Sequence, residues 1–182
     1  MAATFTWCRD HGNATGSPAK GTTRDEGVTN MNWKNSDTEA HAYSAYPITD
    51  GNNSYELWTF GKFSGTFNQV SAGKFAHTAG ALGTGLTVKG TPACTGDGDR
   101  LLYTTPSTNA NANLTTNMTS VSAIGDGVAV FFGATGPEAT GKASSMTTNP
   151  CYTNYLTTQL QTSGASAGDT ATATFTLQYN EN

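Results

Sequence analysis

The residues that could do chemistry in this chain are few, and they do not gather into a familiar pattern. His11, His41 and His77 stand alone, without the HxH or HxxxH spacing that brings two imidazoles to one metal. Each reads as a solvated or hydrogen-bonded side chain. No GxSxG segment offers a serine on a strand-to-helix turn. GALGTG at Gly80 to Gly85 has the glycines of a phosphate cradle but lacks the following helix whose N-terminus would hold an anion. Asp97 and Asp99 in TGDGD, or Asp50 with Asn52, carry the oxygen ligands that calcium prefers. Neither series reaches the closing Glu of an EF-hand loop, so no metal or cofactor is expected. Paired carboxylates for glycoside hydrolysis are not identifiable, although sequence separation does not exclude a pair assembled by the fold.

Three cysteines, Cys8, Cys94 and Cys151, cannot all pair within one chain, and their wide spacing fits no zinc pattern. Cys94 lies in the loop-like TPACTGDGD and Cys151 in NPCYT, settings compatible with a Cys94–Cys151 bridge. Free thiols are the simpler alternative.

The elements that must position these residues are strands. The stretch Thr170 to Tyr179, TATATFTLQY, alternates strictly: Ala171, Ala173, Phe175, Leu177 and Tyr179 on one side, Thr and Gln on the other. Strand side chains alternate between faces, so this segment gives one face to a core and the other to water. CYTNYLTTQLQT at Cys151 to Thr162 precedes it across a turn-rich SGASAGD, and the pair is expected to form a hairpin. SYELWTFGKF carries bulk on both faces, Leu57 on one and Trp58 with Phe60 on the other. Such a strand is covered twice, within a sandwich or at a subunit interface. Gly61 and Gly65 mark bulges or a close approach of backbone. Short strands recur with turn signals between them, and no helix of normal length is visible.

Composition agrees. Of 182 residues 36% are hydrophobic and 12% charged, with 21 Gly and only 6 Pro. That is too few charges and prolines for a disordered chain of such low hydrophobicity, and Thr with aromatics suits strands. The expected fold is all-β: an antiparallel β-sandwich, jelly-roll or Ig-like, or a barrel. Residues 1–35 hold too few apolar groups to fold alone and are expected to be an extended N-terminal arm, with 36–182 forming the β-sandwich domain. Phe5, Trp7 and Trp33 on that arm either dock on their own domain or, with Trp58 and Phe60, are contact residues, the last two on a self-association surface within a trimer or a capsid-facing one. The net charge of −4, with 9 Lys and Arg in no run, argues against nucleic acid and anionic membranes as partners. The N-terminus shows no basic and apolar signal segment.

The opening MAATFTW, the central YPITDGNNSYELWTFGKFSGTFNQ and the ending GDTATATFTLQYNEN resemble a group of small structural proteins encoded in tailed-bacteriophage genomes. The resemblance runs through most of the chain and rests on general pattern, with no catalytic signature. It implies a non-enzymatic virion protein, a decoration (cement) protein on the outside of an icosahedral head. Its implied partners are the major capsid protein and copies of itself, and its implied place is the capsid surface. Two alternatives of other classes are a tail-fibre-type receptor or carbohydrate-binding module, using exposed Trp and Tyr as stacking platforms, and a β-sandwich glycan hydrolase.

Overall fold

The alternating segments do become strands, in two antiparallel sheets. The computed structural model describes residues 2–29, 31–38, 42–91, 102–118, 124–166 and 173–182. In chain order the strands are β1 (Ala3–Thr15), β2 (Lys20–Glu26), β3 (Leu57–Gly65), β4 (Val70–Ala79), β5 (Leu86–Gly90) and β6 (Thr116–Asn117). There follow β7 (Val128–Val130), β8 (Phe132–Gly133), β9 (Ser145–Met146), β10 (Cys151–Thr153), β11 (Leu156–Thr162) and β12 (Thr174–Glu181). The larger sheet runs β2-β1-β3-β11-β5-β6, with β10 continuing beside β3 and β8 beside β10. The smaller runs β12-β4-β7, with β9 also on β4. The sheets pack as a sandwich and do not close, so the barrel alternative falls away.

Between the sheets lies an apolar layer. Phe75, Val128 and Val130 of the smaller sheet meet Val88 and Leu156 of the larger, and Phe63, Val70, Phe132 and Cys151 continue it. Phe175, Leu177 and Tyr179 point inward as the alternation requires, but they are half-buried, because β12 is an edge strand. Gly61 is the close approach anticipated for it. A Cβ there would sit 2.6 Å from the Phe5 ring and 3.3 Å from Leu177.

Two expectations fail. The C-terminal hairpin does not form: β11 pairs with β3 and β5 in the larger sheet, while β12 pairs with β4 in the smaller. Each segment has a better partner elsewhere, and the two strands lie in different sheets. The N-terminal arm is also corrected. Ala3 to Asp10 pair residue by residue with Gly65 to Trp58 of β3, and β1 turns back into β2. Apolar residues are sparse here because the hairpin borrows β3 as its template and neutralises its charges in pairs. Residues 3–26 therefore belong to the sandwich.

The strand with bulk on both faces is covered twice, by its own chain. Leu57, Trp58, Thr59, Phe60 and Phe63 of β3 are all buried. Leu57, Thr59 and Phe63 look toward the smaller sheet. On the opposite face Trp58 and Phe60 gather Cys8, Tyr103, Leu114 and Tyr155 into a second core. Each fully buried aromatic there contributes about 1.5–3 kcal/mol.

Deleting residues 1–27 removes the template partner of β3 and opens both cores. The truncated chain should lose cooperative thermal unfolding followed by circular dichroism. A truncated chain that melts like the full one would restore the free-arm picture.

Candidate functional site

The densest gathering of ionisable and polar side chains lies on the outer face of the larger sheet, beside the second core. Even-numbered residues of β1 face outward there, which places Asp10 opposite Trp58 in the register. Asp10 has no solvent exposure. β2 runs back along β1 and sets Arg24 opposite Asp10. Arg24 Nε donates to Asp10 Oδ1 at 2.7 Å, and its Nη2 donates to Asp10 Oδ2 at 2.8 Å and to Glu138 Oε2 at 2.9 Å. The Tyr155 hydroxyl donates to Asp10 Oδ2 at 2.5 Å, and the Gly21 N–H reaches the same oxygen at 3.4 Å. The Arg24 guanidinium lies 4.9 Å above the Phe60 ring, a cation–π contact.

The electrostatics follow from this geometry. Burial works against the Arg24 charge, but its bonds to Asp10 and Glu138 more than reverse that and hold it protonated well beyond the ordinary range. Tyr155 is pushed strongly upward by burial first and by the Asp10 charge second. Tyr103 is raised by burial and by Asp37, and its hydroxyl donates to the Gly12 carbonyl at 2.6 Å. Neither phenol ionises near neutrality.

A second cluster adjoins it. Arg9 pairs with Asp37 at 3.2 Å, and the Gly12 N–H donates to the other Asp37 oxygen at 2.7 Å. Burial raises Asp37, against the pull of the Gly12 N–H and of Arg9. Glu56, 2% exposed, accepts from Trp58 Nε1 at 3.2 Å, and burial raises its carboxyl above the ordinary 4.5. Gln159, fully buried, donates to the carbonyls of Asn109, Ser54 and Ser107 at 3.0, 3.1 and 3.4 Å. These groups hold the segment 102–118 over the second core.

The expected contact residues are interior. Trp58 and Phe60 have no exposure, so they cannot serve as a trimer face. Phe5, Trp7 and Trp33 are half-buried against the inter-sheet core: Phe5 lies 5.2 Å from Phe63, Trp7 6.4 Å from Phe75 and Trp33 5.6 Å from Phe175. Burying aromatic area in the chain's own cores outweighs presenting it to a partner. Asp50 clamps a turn through the Ala165 N–H at 2.9 Å, and Asn52 accepts from Thr162 at 2.8 Å. Asp97, Asp99, Cys94 and His41 lie outside the described residues. Cys151 is a free, buried thiol, and burial pushes both it and Cys8 up to about 11, so neither is a nucleophile at neutral pH. His11 pairs with Asp25 at 2.9 Å. His77 lines an open depression of about 480 Å³ with Thr78 to Leu82 and Leu86. Among the described residues no cluster of three or more metal-ligating side chains forms.

Sequence reasoning missed Asp10, Arg24, Tyr155 and Glu138 as a unit. The one available signal was the repeated RD, in Arg9-Asp10 and Arg24-Asp25, on either side of a Gly/Pro-containing turn. Comparison of the chain with family models, curated proteins and solved structures finds no match.

Two predictions test this arrangement. Asp10→Asn removes the buried charge that Arg24 and Tyr155 enclose, leaving Glu138 as the guanidinium's remaining anion, and should cost about 3 kcal/mol in urea denaturation. Glu26→Gln, which breaks the more exposed Lys62–Glu26 pair, should cost under about 1 kcal/mol. Equal losses would show that Asp10 is not the lock. Glu56 gives a pH signature. Its folded carboxyl binds a proton more tightly than the unfolded one, so its contribution to stability falls as pH rises from 4.5 through the raised folded value. Glu56→Gln removes that slope and should therefore gain stability relative to wild type across that window. A difference independent of pH would overturn the assignment.

Proposed function

We propose that this chain is a non-enzymatic structural protein of a tailed-bacteriophage virion, decorating the outer surface of the head and stabilising it. The observation that supports a structural role best is how the polar interior is used. Asp10, Arg24, Glu138 and Tyr155 close a hairpin onto the sheet, and Gln159 with Glu56 ties loops to it. These bonds hold parts of the chain to one another. A double-cored sandwich with its loops fixed is suited to bearing load on a shell, and the pattern of its opening, centre and ending points to phage structural proteins.

The alternatives draw less support. A glycan-binding module needs aromatic platforms in solvent, whereas the three tryptophans are half or wholly buried and Tyr43 is the strongly exposed aromatic among the described residues. A hydrolase needs two carboxylates that substrate can reach, and Asp10 is shielded completely. Trp58 and Phe60, wholly buried, are not available for the head contact, whereas Phe5, Trp7 and Trp33 keep part of their surface beside exposed loops and edges.

Purified protein should co-sediment with undecorated heads in saturable amounts and raise their melting temperature. Failure to bind heads, together with binding on a glycan array or release of sugar from a polysaccharide panel, would replace this reading with one of the alternatives.

A further inference from the structure

The four ends of the two sheets are not alike. β2 closes one end of the larger sheet with Lys20, Arg24, Asp25 and Glu26 among its seven residues. β6 closes the other with only two residues, and β7 closes one end of the smaller sheet with three. Charge and brevity are the usual guards against a strand adding to an edge. β12 has neither. It is eight residues long, and from Thr174 to Asn180 it carries no charge and no proline. On one side it pairs with β4; on the other, no described residue hydrogen-bonds its backbone. The irregularities of this pair lie on β4, which spends three steps, Lys74 to Ser71, against two on β12, with Ala72 at a φ of 52°. The extra residue is on β4, so β12 itself keeps a regular pleat.

We propose that β12 is a self-association edge, pairing antiparallel with β12 of a second copy about a two-fold axis at Leu177. The sequence TFTLQYN is self-complementary about that point. Leu177 would face its own copy, Phe175 would face Tyr179, Thr176 would face Gln178 and Thr174 would face Asn180. Every apolar residue meets an apolar one and every polar residue a polar one, with no like charges across the seam. A one-residue slip would set apolar against polar, so the pattern excludes odd registers, and a slip of two that moves the axis to Gln178 would set Phe175 against Glu181. The half-buried Phe175, Leu177 and Tyr179 would lose exposure, and the two four-stranded smaller sheets would join as one continuous eight-stranded sheet through β7-β4-β12 of each copy, with β9 beside each β4. An isologous contact of this kind closes on itself and gives a dimer rather than a fibre. It replaces the trimer contact once expected of Trp58 and Phe60, and it stands whether or not the chain belongs to a phage head.

Sedimentation equilibrium from micromolar to millimolar concentration reads the proposal. Wild type should dimerise. The double variant T176K/Q178K sets Lys against Lys twice across the seam and should weaken the dimer roughly tenfold or more. T176E/Q178K, with as many substitutions at the same positions, sets Glu against Lys and should keep it. Hydrogen exchange on wild type gives a second reading that needs no variant: alternate β12 amides should gain protection as concentration rises. A monomer throughout the range, or a dimer indifferent to T176K/Q178K, overturns the proposal.

Discussion

A carboxylate with no solvent exposure must find all its donors within the protein, and Asp10 sets that constraint for this fold. Removing an ion from water costs several kcal/mol, and it is repaid only when the geometry is good and the remaining lone pairs are filled. Asp10 is filled from several places at once: the guanidinium of Arg24 on β2, the hydroxyl of Tyr155 before β11, and the Gly21 N–H. No one of them is adjacent to Asp10 in sequence. The hairpin must therefore close, and the segment entering β11 must sit where it does, before the charge is tolerable. Glu138 extends the requirement to the loop after β8 by sharing the same guanidinium. The pairing works as a condition on assembly: an N-terminal hairpin displaced from β3 would keep the Asp10–Arg24 pair but lose the Tyr155 hydroxyl and the Glu138 carboxylate that tie it to the rest of the chain.

The constraint matters because β3 is covered on both faces. A sheet of a simple sandwich gives one face to a core and one to water. Here the outer face of β3 carries Trp58 and Phe60, which water would penalise, and the cover is built largely from irregular chain. Irregular backbone cannot satisfy its own N–H and C=O groups, so a buried loop needs outside partners. Gln159 answers for three carbonyls, Tyr103 for the carbonyl of Gly12, and Thr105 accepts from the N–H of Ala14. The polar residues that read as surface composition are thus the fastening of the second layer, and the aromatics beneath it supply the apolar area.

The legible part of the fold was the part written in apolar alternation. Phe175, Leu177 and Tyr179 look inward as period two requires, and Leu57 and Trp58 announce a strand buried twice. What alternation does not encode is the partner. β11 and β12 are neighbours in sequence with matching character, yet β3 and β5 compete better for the first and β4 for the second. The N-terminal hairpin was illegible for a different reason. Its buried groups include Arg9 and Asp10, which any hydropathy reading assigns to solvent, and only the tertiary partners Asp37, Arg24 and Tyr155 make their burial tolerable. The candidate site shared that fate, because its four members come from β1, β2, the loop after β8 and the entry to β11.

The same accounting decides what kind of contact the surface can make. Two cores over one sheet consume the large side chains: all three tryptophans pack inside, and Tyr43 and Leu102 are the large apolar residues left strongly exposed among those described. A partner that relied on inserting an aromatic anchor into a pocket would find little to grip. What remains outside is Thr, Asn, Gln and backbone, whose bonds are directional and individually weak, of the order of 0.5–1.5 kcal/mol net. Contacts of that type gain strength by repetition along a strand edge or across many copies held on one surface. The interior thus determines the exterior. A chain with only 36% hydrophobic residues that builds two cores leaves hydrogen-bonding edges, rather than aromatic anchors, as the surface a proposed partner would meet.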